Sequence, residues 1–349
     1  MRNIININKN WKFIQKDAGL PETFPDDWDT VDLPHTWNAV DGHDGNGRYD
    51  RGCYWYARIF ETPKQPLPGG RVYLDIPAAG QQAVVYVNGK GVCYHEGGYS
   101  TFRVDITDEC RKHGDNLLVI ACSNENKSSV YPQSADFTFY GGLYRGVNLI
   151  SVPLKVTAFP ADCGGAEFAL ESEVRDADEN FTVMYRICDA DGREVAGAVR
   201  PANSTAVKLY VPEVTLWDCD NPYLYTVTAT LQRRNEAYDE VSARVGVRSF
   251  SCDADKGFIL NGIPTPLRGV SRHQDKLYKG NALTKEDHYQ DARIIKELGA
   301  NTIRLAHYQH SQDFYDACDE MGFIVWAEIP FISVMNEDPA AHENCITQL

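Results

Sequence analysis

The 349-residue sequence lacks any apolar run approaching the roughly 18 residues that a membrane-spanning helix needs. Its start, MRNIININKNWKF, has no apolar core and no small-residue cleavage site, so nothing there reads as a secretion signal. None of the ten cysteines forms a CxxC pair, and no cysteine–histidine spacing suits zinc. With no signal to read, the thiols are expected to be reduced and the protein cytoplasmic. The sequons at Asn126, Asn180 and Asn203 are then chance matches. Positive charge is also scarce: 34 Lys and Arg face 49 Asp and Glu, a net charge of −15. That balance excludes nucleic acid and an anionic membrane as partners and leaves neutral small molecules, sugars among them.

What the sequence has instead is alternation. In the first 150 residues, RVYLDIP, AVVYVNGKGVCYHEG, FRVDIT and NLLVIACSNE repeat with period two between turn signals, and no long amphipathic helix interrupts them. Asn88-Gly89 is the pair that a two-residue type I′ hairpin demands. Residues 1–152 are therefore expected to form a β jelly-roll sandwich. Residues 153–250 keep the same texture in FTVMYRICDADGREV, AVKLYVP and LYTVTATLQRR. Their roughly seven short strands suit an immunoglobulin-like β-sandwich.

From residue 251 to 349 the pattern changes. TPLRGVSRH reads as a strand. A helix follows, with Thr284 as N-cap and Gly299 just past its end. A second strand comes next, then a helix from Ser311 to Gly322. FIVWAEIP is a third strand, apolar enough to be buried on both faces. This strand–helix alternation opens a parallel α/β array, and the chain ends in what reads as the next helix. The second strand poses a puzzle. GANTIRLAHYQH is apolar, yet Arg304 sits inside it and His307, Tyr308 and His310 crowd its end. A strand end reaching solvent would explain them, and so would the rim of an active site. His310 with His307 also suggests a metal pair, but nothing completes the set.

A resemblance decides between these. Leu33-Pro34-His35-Thr36-Trp37-Asn38, Tyr49-Asp50-Arg51-Gly52, Asp136-Phe137-Thr138-Phe139-Tyr140-Gly141-Gly142-Leu143-Tyr144-Arg145, Arg268-Gly269-Val270-Ser271-Arg272-His273, Asn301-Thr302-Ile303-Arg304-Leu305-Ala306-His307-Tyr308 and Trp326-Ala327-Glu328-Ile329-Pro330 occur in order along the whole chain. Together they resemble glycoside hydrolase family 2, the family of β-galactosidases, β-glucuronidases and β-mannosidases. The resemblance implies a jelly-roll sugar-binding domain, an immunoglobulin-like sandwich and the first three βα units of a TIM (β/α)8 barrel. Active sites of such barrels lie at the C-terminal strand ends. His273, Arg304 with His307, and Glu328 fall at three successive ends. The resemblance makes His273 and His307 substrate-binding, Arg304 a support for the nucleophile, and Asp136 a residue that reaches the sugar from the jelly roll. Glu328 and Trp326 are weaker candidates, the first as a supporting carboxylate, the second as a face for sugar stacking.

The same resemblance implies retention of configuration by two glutamates on later strands. A full barrel takes about 250 residues, so both glutamates are expected beyond Leu349, and no catalytic residue is assigned within this chain. Asn336-Glu337 imitates the family's Asn-Glu pair but follows the third strand too soon. Arg272-His273-Gln274-Asp275 and Ala306-His307-Tyr308-Gln309 look closest to bacterial β-galactosidases, which makes a β-galactoside the expected partner, with β-glucuronidase as the alternative. Gln309 replaces the family's usual proline. Ile332 and Val334 stand where some members place magnesium ligands, so no metal or other cofactor is assigned, although magnesium or sodium is compatible with a full-length enzyme. A homo-oligomer is compatible as well. The competing reading from another class is a non-catalytic carbohydrate-binding module.

Overall fold

Alternation in the first domain builds two antiparallel sheets. The structure, a computed structural model, describes residues 5–45, 47–63, 71–132, 134–150, 154–160, 164–172, 174, 179–203 and 206–349. The expected domain boundary at 152/153, Cys163, and Ser204 and Thr205 of one sequon lie outside the described residues. One sheet has six strands in the order Asp29–Val31, Trp11–Ile14, Cys53–Glu61, Asp115–Ser123, Gln82–Val87, Lys90–Glu96. Facing it are Ile5–Asn6, Asn148–Ile150, Tyr73–Ile76 and Phe102–Asp105. Inward residues such as Trp11, Tyr56, Leu74, Val85 and Ile120 fill the space between them. The six-stranded sheet is also covered outside, where Trp28, Trp55, Ala57 and Val119 cluster. Asn88 (φ 51°) and Gly89 (φ 81°) both take the left-handed region that the hairpin needs.

The second domain pairs a three-stranded sheet (Leu154–Pro160, Ala166–Ser172, Ala206–Val211) with a four-stranded one (Glu194–Pro201, Thr182–Cys188, Tyr225–Arg233, Glu236–Val245). Phe168, Leu170, Tyr185, Ile187 and Val227 form its core. It is joined to the third domain through Trp217, whose Nε1 donates to the Asp319 carbonyl at 2.8 Å while Arg248 lies over its ring at 4.6 Å.

The third domain carries a parallel sheet of three strands, Gly269–Arg272, Thr302–Leu305 and Ile324–Ala327, hydrogen-bonded in that order. Helix α1 (Lys285–Glu297) links the first two strands and α2 (Gln312–Met321) the next two. Helix α3 (Pro339–Gln348) follows the third strand. Thr284 caps α1 in a reciprocal capping box with Asp287. Gly322 ends α2 at φ 77°. One departure from the sequence reading concerns the third strand. It covers only Ile324–Ala327 and is half open, with Trp326 65% exposed. It is an edge strand of this sheet, so its apolar character does not meet a second neighbour. The nine described cysteines are free thiols. No helix among the described residues is long and apolar enough to cross a membrane.

Candidate active site

The parallel register explains the arginine in the apolar strand. Paired residues share a face, and faces alternate along a strand. Val270, Ile303 and Val325 are level with one another, as are Arg272, Leu305 and Ala327. Ile303 and Leu305 are fully buried against Ala292 and Ile295 of α1 and Phe314 and Ala317 of α2. The other face carries Ser271, Arg304 and Trp326 in one row. Arg304 is therefore apolar only in its sequence neighbours; its side chain stands on the face away from the helices.

There it meets two partners expected from the sequence. Arg304 Nε lies 2.6 Å from Glu328 Oε1 and its Nη2 3.1 Å from Oε2, a two-pronged ion pair. His307 Nδ1 sits 2.9 Å from Arg304 Nη2 and 3.2 Å from Glu328 Oε2. One nitrogen cannot accept and donate at once. Bare, Nδ1 accepts from Arg304; protonated, it donates to Glu328. Burial pushes the Glu328 carboxyl up, but the hydrogen bonds from Arg304 and His307 outweigh it and hold the group below its ordinary range. Glu328 is thus a fixed, ionised acceptor rather than a proton donor.

His273 follows the first strand and comes within 5.2 Å of the His307 ring, centroid to centroid. Burial lowers its pKa, the neighbouring His307 and Arg304 lower it further, and Asp275 and Asp136 act in the opposite sense. Asp136 is exposed and belongs to the jelly roll, so the first domain brings a carboxylate to the mouth of the third. Phe137 is the link. Its ring lies 5.2 Å from His273, 6.1 Å from His307 and 5.3 Å from Tyr308. The sequence reading assigned Phe137 no role of its own; its place directly after Asp136 was the available signal. Trp326 is level with Arg304 and open to solvent. Five of the six candidates, Asp136, His273, Arg304, His307 and Glu328, therefore gather at the ends of the first three barrel strands, and Trp326 stands beside Arg304 on the same sheet face.

His310, the other half of the suggested metal pair, is elsewhere. It is buried, with Nδ1 3.1 Å from Arg272 Nη1 and Nε2 3.1 Å from the Ala306 carbonyl. Among the described residues no group of three His, Cys, Asp or Glu could hold a metal ion. Asn336 is a tie between domains, its backbone N–H donating to the Tyr131 hydroxyl at 2.6 Å.

This arrangement agrees with three family models in chain order. Residues 4–153 match the sugar binding domain of glycosyl hydrolases family 2, residues 155–248 match glycosyl hydrolases family 2, and residues 254–346 match its TIM barrel domain. The chain belongs to glycosyl hydrolase family 2. Family 2 relatives include a beta-glucuronidase from Bacteroides fragilis, 32% identical over 357 residues, covering 95% of this chain and 50% of that protein. Beta-galactosidase BoGH2A from Bacteroides ovatus is 32% identical over 353 residues, covering 93% of this chain and 40% of that protein. Among solved structures, an FMN-binding beta-glucuronidase from Facaelibacterium prausnitzii L2-6 superposes with a TM-score of 0.93 at 59% identity, covering 100% of this chain and 55% of that one. Bacteroides uniformis beta-glucuronidase 2, covalently bound to cyclophellitol-6-carboxylate aziridine, gives 0.87 at 32% identity, covering 99% and 44%. The chain thus spans half or less of the length of these two curated family 2 relatives.

Proposed function

We propose that this chain forms the sugar-facing front of a retaining β-glycosidase whose preferred substrates are β-D-glucuronides. The observation that carries the substrate class is the 59% identity, over the whole chain, to a protein described as a beta-glucuronidase. The site fits glycoside chemistry. His273 and His307 are placed to hydrogen-bond sugar hydroxyls, Asp136 accepts from another, and Arg304 supplies fixed positive charge beside the reacting centre. The two carboxylates of the double displacement, held about 5–5.5 Å apart in retaining enzymes, would be supplied outside these 349 residues. The second reading, a β-galactoside, rests on the Arg272-His273-Gln274-Asp275 and Ala306-His307-Tyr308-Gln309 motifs and on relatives named beta-galactosidase.

The deciding experiment compares kcat/KM for 4-nitrophenyl β-D-glucuronide and β-D-galactoside, using the protein as its native gene makes it. A glucuronide preference of tenfold or more supports the first reading, and the reverse preference supports the second. Turnover of neither would sink the enzyme reading and leave a carbohydrate-binding module. In the active protein Arg304→Met should lower kcat/KM about 10²-fold, about 2.7 kcal/mol of transition-state stabilisation. The Glu328 pKa should rise as its ion pair is lost. An unchanged kcat/KM would mean that Arg304 only braces the strand.

A further inference from the structure

Tyr308 is buried, but its polar end is aimed at the site. Its ring stacks face to face on Tyr99 of the jelly roll, with centroids 4.0 Å apart and planes within 10°. Its hydroxyl lies 3.3 Å from Nδ1 of His273. Parallel pairing of the first two barrel strands makes this contact, since His273 follows one strand and Tyr308 lies just past the other. Phe137 closes the ring of contacts by touching His273, His307 and Tyr308 together.

The direction of that hydrogen bond follows from the surroundings. Burial raises the Tyr308 pKa far above its ordinary value, so the phenol keeps its proton, and a buried hydroxyl needs an acceptor for it. The backbone N–H of Gln274 is near the same oxygen and, being a donor, cannot receive the hydroxyl proton. The proton of the hydroxyl is then left for Nδ1 of His273. A neutral imidazole that accepts at Nδ1 carries its own hydrogen at Nε2. Among the described residues no protein group takes that Nε2 hydrogen.

We propose that Tyr308 is a positioning residue that fixes His273 as the Nε2–H tautomer, leaving one N–H donor free for a ligand in the mouth. The jelly roll takes part, because Tyr99 and Phe137 hold the Tyr308 ring in place. The tautomer rests on the Tyr308–His273 contact and on a phenol that keeps its proton at neutral pH, not on the glycosidase reading. The statement that a sugar hydroxyl meets the donor rests on the glycosidase reading above.

The test is long-range 1H–15N correlation on the 349-residue chain labelled with 15N-histidine, with the His273 signals identified by their loss in His273→Gln. At neutral pH the wild-type pattern should place the hydrogen on Nε2. Tyr308→Phe keeps the ring and its stack on Tyr99 but removes the hydroxyl, and His273 should then populate both tautomers. A hydrogen on Nδ1 in the wild type, or an unchanged pattern in folded Tyr308→Phe, overturns the proposal. Should that variant fail to fold, the wild-type spectrum decides alone. In the active protein the same change should raise KM about tenfold and alter kcat less than twofold. An absence of glycoside hydrolysis would remove the sugar reading and leave the tautomer result intact.

Discussion

Lowering the pH from 7 to 5 is expected to cost this protein roughly 4 kcal/mol of folding stability through two buried histidines alone. The cause lies one layer beneath the site. Arg272 shares a face with Leu305 and is buried among the helices. Its guanidinium pairs with Asp291 at 2.6 Å, lies over the Phe314 ring at 3.9 Å and donates to Nδ1 of both His288 and His310 at 3.1 Å. Both imidazoles must be bare at Nδ1 to accept. Burial, then the positive charge of Arg272, brings His288 down to about 3 and His310 well below its ordinary value. In the unfolded chain both take up a proton near pH 6.5, so between that pH and about 3 the unfolded state binds more protons. Stability therefore falls as pH falls through this window, by about 1.4 kcal/mol per pH unit for each histidine. His35, brought down to about 4 by burial, acts in the same direction. Urea midpoints at pH 7, 6 and 5 measure the effect, which is large beside the 5–15 kcal/mol of a typical domain. His288→Gln keeps an acceptor for Arg272 without a titrating group and should flatten the slope. Midpoints that do not move between pH 7 and 5 would contradict the account.

Gly269→Ala should destabilise the barrel segment by about 3 kcal/mol or more. Gly269 begins the first barrel strand and pairs with Thr302. A Cβ there would stand 2.1 Å from the Thr302 carbonyl oxygen and 2.4 Å from its Cγ2. The nearer obstacle is backbone of the paired strand, so a rotamer change cannot relieve it. The strands must part, and these are the strands that place His273 on one side and Arg304 with His307 on the other. Hydrogen exchange should show lost protection at 269–272 and 302–305 while the two sandwiches keep theirs. Unchanged protection at 302–305 would show that the sheet accommodates the methyl group.

Much of the architecture was legible because it is written in local chemistry. Period-two alternation, Asn88-Gly89, the Thr284 cap and Gly322 are signals carried by adjacent residues, and each element formed where these point. The site was legible to the extent that polar residues interrupt apolar strands: Arg304 and His307 stand out against Ile303 and Leu305. What stayed hidden depends on distant partners. Arg272 resembles any surface arginine until Asp291, His288 and His310, 16 to 38 residues away, are brought around it. Phe137 and Tyr99 resemble sandwich core until the third domain meets them. The third strand was misjudged because burial depends on neighbours that a strand's own sequence does not specify.

The meeting of Tyr99 and Phe137 with Tyr308 also bears on how such a site can be changed. Helix α3 and the loop before it are tied to the jelly roll as well, through Asn344 to the Glu96 carbonyl at 2.9 Å and through Asn336 to Tyr131. A barrel cut free for use as a minimal catalyst would lose Asp136 and the aromatic wall behind both imidazoles. Transplanting this site onto another scaffold means carrying two domains and the seam between them. On the glycosidase reading proposed above, variation in the jelly-roll segments around 99 and 137 should tune sugar preference as well as variation in the barrel loops.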